Sequence, residues 1–316
     1  MSNFVIKQEG PASVTAEKIW QVRLGAFSFV LGALAGVLAG VILGSRASGG
    51  NRNTPLKDWP INLAHRGGAG IAPENTLEAF REALRVGAGG LELDIHATAD
   101  GRLVVIHDET VDRTTDGSGA VGEMTLAEVK RLDAGYWFTT DGGRSYPWRQ
   151  RGVRVPTLEE VHEHFEGVPI NVEIKEPARP GVEEALFEAI RAAGTEDRTL
   201  VVSENTAAIR RFRKASGGRV ATGSSTAEIV VFDVLRRVRL SSLLRPPYRA
   251  LQGPENFRGL LRVVTPGFVR ASHEIGVRVD VWTINDEPSM RRLLGFGVDG
   301  IMTDRPDILA KVLRGE

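Results

Sequence analysis

Short apolar runs recur along the chain from Ile61 onward, and helix-like spacing of apolar residues fills the gaps between several of them. The runs that read as strands are Ile61–Ala64, Leu91–Ile95, Leu103–Ile106, Ile170–Ile174, Thr199–Ser203, Arg219–Gly223, Arg249–Gln252, Arg278–Ile284 and Gly300–Thr303. Helix starts are signalled where Asn75 precedes Glu78, Thr125 precedes Glu128 and Thr157 precedes Glu160, each pair matching a capping box. Near-continuous apolar strands alternating with helices imply a parallel sheet covered by helices on its faces. The predicted domain, residues 60–316, is about the size of a (β/α)₈ barrel, so the predicted fold class is α/β, a TIM barrel. Nine strand candidates compete for eight places. The Leu91 and Leu103 runs are joined only by residues 97–102 with an Asp100-Gly101 turn, too short for a helical crossover and suited to a hairpin. Residues 109–156, rich in glycine and aromatics, break the alternation. They are predicted to form a small insertion after the third strand segment, over one end of the barrel.

Before the domain, residues 24–45 contain no ionisable side chain between Arg23 and Arg46. As a helix they would extend roughly 33 Å at about 1.5 Å per residue, enough to cross a bilayer core. The expectation is a tail over 1–23, a transmembrane helix over 24–45 acting as a single-pass membrane anchor, and a polar linker over 46–59. The competing reading is a long signal peptide cut near Ser45-Arg46-Ala47. Lys7, Lys18 and Arg23 before the span are matched by Arg46, Arg52 and Lys57 after it, so the side of the membrane is left open.

Lysine plus arginine and aspartate plus glutamate number 40 each, which removes any global electrostatic reason to expect a nucleic-acid partner. Cysteine is absent, excluding disulfides, thiolate nucleophiles and thiolate-held zinc. Any metal must be bound by oxygen or imidazole, and a carboxylate-dominated site would favour a hard divalent cation such as Mg²⁺ or Ca²⁺. Nothing in the composition sets the oligomeric state.

Ionisable residues arrive at the ends of four successive strand candidates. The first runs into His65-Arg66-Gly67-Gly68, the second ends in Glu92-Leu93-Asp94, the third in His107-Asp108, and the fourth reads Asn171-Val172-Glu173-Ile174-Lys175. Spacing of two on a strand sends Glu92 and Asp94 to one face, and likewise Glu173 and Lys175. Buried carboxylates are costly unless paired or metal-bound, and three of them suit a hard divalent cation. Arg66 and Lys175 are suited to phosphate charge, and His65 with His107 to taking and giving a proton near neutrality. Taken together, these parts suit a metal-dependent phosphodiesterase.

The ordered set AHRGGAG, APENTLEAF, ELDIHATADGRLVVIHDETVDRTTDGSG, VPTLEE, NVEIK, VWTIN and GIMTDRP resembles the glycerophosphodiester phosphodiesterase family over nearly all of residues 61–312. The resemblance implies a TIM barrel with a small segment inserted after the His-Asp motif. It implies His65 and His107 as the acid/base pair, Glu92, Asp94 and Glu173 as cation ligands, and Arg66 and Lys175 as phosphate contacts. Trp282 would be an apolar wall of the substrate pocket. Glu74 matches an acidic family position beside the site, although it also fits a helix-start turn next to Asn75. His96 is read as structural, and His162, His164 and His273 as helix-surface residues.

The expected reaction is hydrolysis of glycerophosphodiesters to glycerol phosphate and an alcohol. Two alternatives stand beside it: a lysophospholipase D acting on lysophospholipids at a membrane, and an inactive barrel serving as a membrane-bound binding module. The segment 234–248 carries Arg236, Arg237, Arg239 and Arg245 among leucines and could meet anionic headgroups. It also reads as a barrel helix packed through Val231, Val234, Leu235 and Val238. A histidine-rich metal barrel would want an H-x-H pair. The chain offers only His162 and His164, on a predicted helix where residues two apart diverge.

Overall fold

The computed structural model describes residues 61–175, 179–257 and 261–316. Eight parallel strands form the barrel: β1 (Asn62–Ala64), β2 (Gly90–Ala97), β4 (Ile170–Ile174), β5 (Thr199–Val202), β6 (Ala221–Thr222), β7 (Ala250–Pro254), β10 (Arg278–Trp282) and β11 (Gly300–Thr303). They hydrogen-bond in the order β6-β5-β4-β2-β1-β11-β10-β7, and a parallel bridge between Gly223 and Ala250 brings the two ends together. The surplus ninth run is β3 (Leu103–Val105), which pairs antiparallel with β2 as a hairpin arm and occupies no barrel place. A small antiparallel pair, β8 (Asn256–Phe257) and β9 (Leu261–Arg262), follows β7.

Register places the side chains. Leu63 is paired with Met302 and with Gly90, Glu92 with Asn171, Asp94 with Glu173, and Asn171 with Leu200. Partners in register share a face. Leu63, Leu200, Val202, Ala221, Ala250 and Met302 accordingly form an apolar cluster inside the barrel, and Trp282 packs against it. Lower in the barrel, Gln252 bridges Asn171 and Asp280, and Arg278 pairs with Asp280 at 2.7 Å, so these buried polar groups satisfy one another.

Helices cover the outside: α1 (Leu77–Arg85), α3 (Leu158–His164), α4 (Val182–Ala193), α5 (Thr206–Ser216), α6 (Thr226–Arg237), α7 (Pro266–Glu274), α8 (Glu287–Phe296) and α9 (Pro306–Arg314), with a one-turn α2 (Leu126–Val129) in the segment after β3. Thr125–Glu128 and Thr157–Glu160 form the expected capping boxes, as does Ser225–Glu228. At α1 the cap is Thr76 rather than Asn75, because Asn75 is drawn toward the barrel. Residues between β3 and α3 have an apolar core of their own, built on Val111, Val121, Val129, Ala134 and Val153.

The membrane-spanning helix expected over 24–45 lies outside the described residues, as do the tail over 1–23 and the linker over 46–59. Among the described residues no helix is long and apolar enough to cross a membrane. The longest, α4 and α6, have 12 residues each, roughly 18 Å against a hydrocarbon core of about 30 Å. The single-pass membrane anchor is therefore corrected: no spanning helix stands among the described residues.

The basic segment needs a smaller correction. Helix α6 buries Val231, Phe232 and Leu235, while Val238 is exposed just past its end, so the expected apolar stripe stops one turn early. Asp233 pairs with both Arg236 and Arg237.

Candidate active site

Because β2 and β4 run in register, Asp94 and Glu173 stand side by side, with Glu92 one pleat below Asp94. Each of the three carboxylates offers an oxygen within 4.8 Å of the others' oxygens. Glu92 and Asp94 are buried. Burial, and then the charge on Asp94, push both Glu92 and Glu173 above the ordinary carboxylate range. Asp94 Oδ1 is buried without a hydrogen bond, and its nearest cation, Lys175 Nζ, is 3.6 Å away. Mutually repelling oxygens with an unfilled acceptor among them fit a divalent cation. An all-oxygen donor set favours the hard ions over zinc or copper.

The turn after β1 is shaped around these carboxylates. Arg66 adopts a left-handed backbone, φ 51°, sparsely populated for a residue with a side chain. Its N–H donates to Glu92 Oε2 at 2.8 Å, Nη1 to Glu74 Oε1 at 3.1 Å, and its Nε lies 3.5 Å from Asp94 Oδ2. Gly67 follows at φ 80°, where a Cβ would come within 2.7 Å of the Phe80 ring. Only glycine lets the turn close against α1. Asn75 also has positive φ, 56°, and donates to Asp94 Oδ2 at 2.9 Å. These contacts hold Asp94 in place while leaving Oδ1 free.

His65 and His107 are each backed by a carboxylate through Nδ1. His65 Nδ1 is 2.7 Å from Asp304 Oδ1, and Asn285 Nδ2 donates to the other Asp304 oxygen at 2.7 Å. His107 Nδ1 is 2.6 Å from Asp108 Oδ1. With Nδ1 donating to an acid, each ring keeps Nε2 for a substrate. Burial disfavours the His65 imidazolium, but the Glu92 charge and the Asp304 hydrogen bond outweigh it and hold the group above the usual histidine value. For His107 burial prevails over Asp94 and Asp108, and the group lies below it.

Among the remaining expected residues, Lys175 Nζ donates to Glu173 Oε1 at 3.2 Å. Glu74 is not merely a helix-start residue, for it accepts from Arg66 and from Arg113. Trp282 stands at the end of β10 beside the apolar cluster inside the barrel. His96 is buried, with Nε2 3.1 Å from the His107 carbonyl oxygen. His164 and His273 are exposed, as expected. His162 is corrected: it is buried against the core side of α3, not on the helix surface.

Spacing assigned no role to four residues that bear on the site: Asp304, Asn285, Asp108 and Arg113. Asp304 and Asn285 lie in the GIMTDRP and VWTIN segments, and Asp108 beside His107, so their positions were visible though their contacts were not.

A parallel barrel that brings three clustered carboxylates and two carboxylate-backed histidines together at its strand ends has the parts of a hydrolase site. Residues 65–308 match the glycerophosphoryl diester phosphodiesterase family. A glycerophosphodiester phosphodiesterase of Caldanaerobacter subterraneus is 37% identical over 257 residues, covering 80% of this chain and 97% of that protein. One from Bacillus subtilis is 33% identical over 308 residues, covering 92% and 98%. The solved structure of an Oleispira antarctica phosphodiesterase in complex with the product sn-glycerol-3-phosphate superposes with a TM-score of 0.61 at 29% identity, covering 81% of this chain and 97% of that one. The chain belongs to the glycerophosphoryl diester phosphodiesterase family and is a phosphoric diester hydrolase.

Proposed function

We propose that this chain hydrolyses glycerophosphodiesters to glycerol phosphate and an alcohol, using a divalent cation (Mg²⁺ or Ca²⁺) and two histidines. The observation that carries the reading is the convergence of Glu92, Asp94 and Glu173 beside His65 and His107. Glu92, Asp94 and Glu173 would hold the cation, which when bound would neutralise phosphate charge and polarise the phosphorus–oxygen bonds. Arg66 and Lys175 take up the remaining phosphate charge, and Trp282 forms an apolar wall. Glu74 keeps the Arg66 guanidinium in position.

The free glycerol hydroxyl next to the phosphoester is the nucleophile, its reach to phosphorus assured by proximity. One histidine accepts its proton as the new oxygen–phosphorus bond forms. The other protonates the leaving alcohol as its bond to phosphorus breaks. Water then opens the cyclic phosphate with the proton roles reversed, giving glycerol phosphate. Asp304 and Asp108 steady the two rings through both steps.

Single replacements His65→Ala and His107→Ala test the assignment on glycerophosphocholine. Each is expected to reduce turnover by at least about 10²-fold while thermal unfolding stays cooperative. Full activity in either folded variant removes that histidine from the mechanism. Lysophosphatidylcholine serves as the comparison substrate and is expected to be the poorer one, since no described residue assigns a site to an acyl chain.

A further inference from the structure

The DRTTDGSG run begins at Asp112, separated by three residues from His107-Asp108, and its spacing suggested no chemistry. In the structure its arginine, Arg113, grips two carboxylates at once. Nη1 and Nη2 donate to the two oxygens of Glu74, both at 2.7 Å. Nε donates to Asp108 Oδ2 at 2.6 Å, and Nη2 also reaches Asp108 Oδ1 at 3.1 Å. Each carboxylate has a second tie to the site. Asp108 Oδ1 meets His107 Nδ1, and Glu74 Oε1 accepts from Arg66, whose Nε approaches Asp94. One side chain thus completes a chain from the carboxylate ring, through Arg66 and Glu74, to Asp108 and His107.

We propose that Arg113 is a positioning residue for the proton transfer assigned to His107. Its planar fork holds Asp108 in the rotamer that fixes the His107 ring, and holds Glu74 in the one that fixes Arg66. The inference rests on the role given to His107 under the proposed function. Arg113 itself touches no reacting atom. It belongs to the loop after β3, so that loop contributes to catalysis through geometry rather than by contact with substrate.

Stability does not account for the arrangement. The Arg113 side chain is 47% exposed and Glu74 15%; Glu74 keeps its hydrogen bond to Arg66 without Arg113, so removing the arginine strands no unpaired charge. Geometry does account for it. Without the fork, Asp108 is a half-buried loop carboxylate held through its side chain only by His107, free to turn away from the imidazole. The Arg113 hydrogen bond is also the largest influence holding the Asp108 carboxyl down at about 2, as expected for a carboxylate gripped by the fork. A lysine, a point charge without a fork, cannot hold both carboxylates in plane.

The test measures kcat and KM on glycerophosphocholine for the full-length wild type, Arg113→Ala, Arg113→Lys, and Arg131→Ala as an exposed-arginine control. Thermal midpoints are recorded alongside, and rates are repeated in millimolar guanidinium. Arg113→Ala is expected to lose roughly 10- to 100-fold in kcat with an unchanged midpoint, and added guanidinium is expected to recover part of that loss. Arg113→Lys should recover less than half of it, and Arg131→Ala should match the wild type. The proposal is overturned if Arg113→Ala turns over within about twofold of the wild type. It is equally overturned if the activity lost is not recovered by guanidinium. A wild type that hydrolyses no diester instead overturns the functional reading beneath it, and the two failures are told apart by that control.

Discussion

Asp304 Oδ1 lies 2.7 Å from His65 Nδ1 although 239 residues separate them in sequence. The contact exists because β1 and β11 are neighbours in the barrel, in register from Asn62 and Ile301 to Ala64 and Thr303. The two residues that follow the paired strands therefore emerge side by side. Asp304 is steadied in turn by Asn285, which also accepts from Thr303 Oγ1 at 3.1 Å.

From this follows the first expectation. In Asp304→Asn the acceptor for His65 Nδ1–H is weakened and its other face becomes a donor, so the ring loses its fixed tautomer. A fall in kcat on the order of 10²-fold or more is expected, with KM changing little. Steady-state kinetics beside a thermal melt separates this from unfolding.

The carboxylate ring makes a second expectation. Three oxygens within 4.8 Å repel one another until a cation sits among them. Saturating Mg²⁺ or Ca²⁺ should raise the thermal midpoint by several degrees, since ligand at 100 times its Kd adds about 2.7 kcal/mol to stability. Glu173→Gln relieves one repulsion, so the cation-free variant should be no less stable than the cation-free wild type. It should lose most of the cation-induced rise. A calorimetric scan with and without chelator reads both, and an undiminished rise in Glu173→Gln would place the ion elsewhere.

A third expectation concerns acid. Both ring nitrogens of His162 are buried without hydrogen bonds among the described residues. Burial, and then the Arg198 charge, hold its pKa down at about 4. In the unfolded chain the value is about 6.5. Between these values the unfolded chain binds a proton that the folded one refuses. The contribution of His162 to stability is therefore intact above about pH 6.5 and declines as pH falls toward 4, by at most about 3 kcal/mol. His162→Leu removes that proton linkage. Urea midpoints at pH 7 and pH 4.5 should fall further apart in the wild type than in the variant; parallel falls would contradict the assignment.

How legible all this was in the sequence depends on distance along the chain and on backbone conformation. Glu92, Asp94 and Glu173 could be read directly, because alternation on a strand fixes a face and their strands are apolar otherwise. The barrel was legible for the same reason, and the surplus Leu103 run was resolved by the short link that makes it a hairpin arm. Asn75 was misjudged because a left-handed backbone aims it at Asp94 rather than at the helix it precedes. His162 was misplaced because a seven-residue helix carries too little periodicity to fix its face. Asp304 and Arg113 make contacts that only the closed barrel and the folded loop after β3 create, so no local spacing could announce them.

The most direct test of the whole account follows phosphorus. Purified protein stripped with chelator is mixed with glycerophosphocholine and monitored by ³¹P NMR before and after Mg²⁺ or Ca²⁺ is added. The account predicts no turnover while the chelator is in excess. After cation addition the diester signal should convert to glycerol phosphate, and Glu92→Gln should fail to convert it. Hydrolysis that proceeds equally well in excess chelator, or no hydrolysis with either cation, would contradict it.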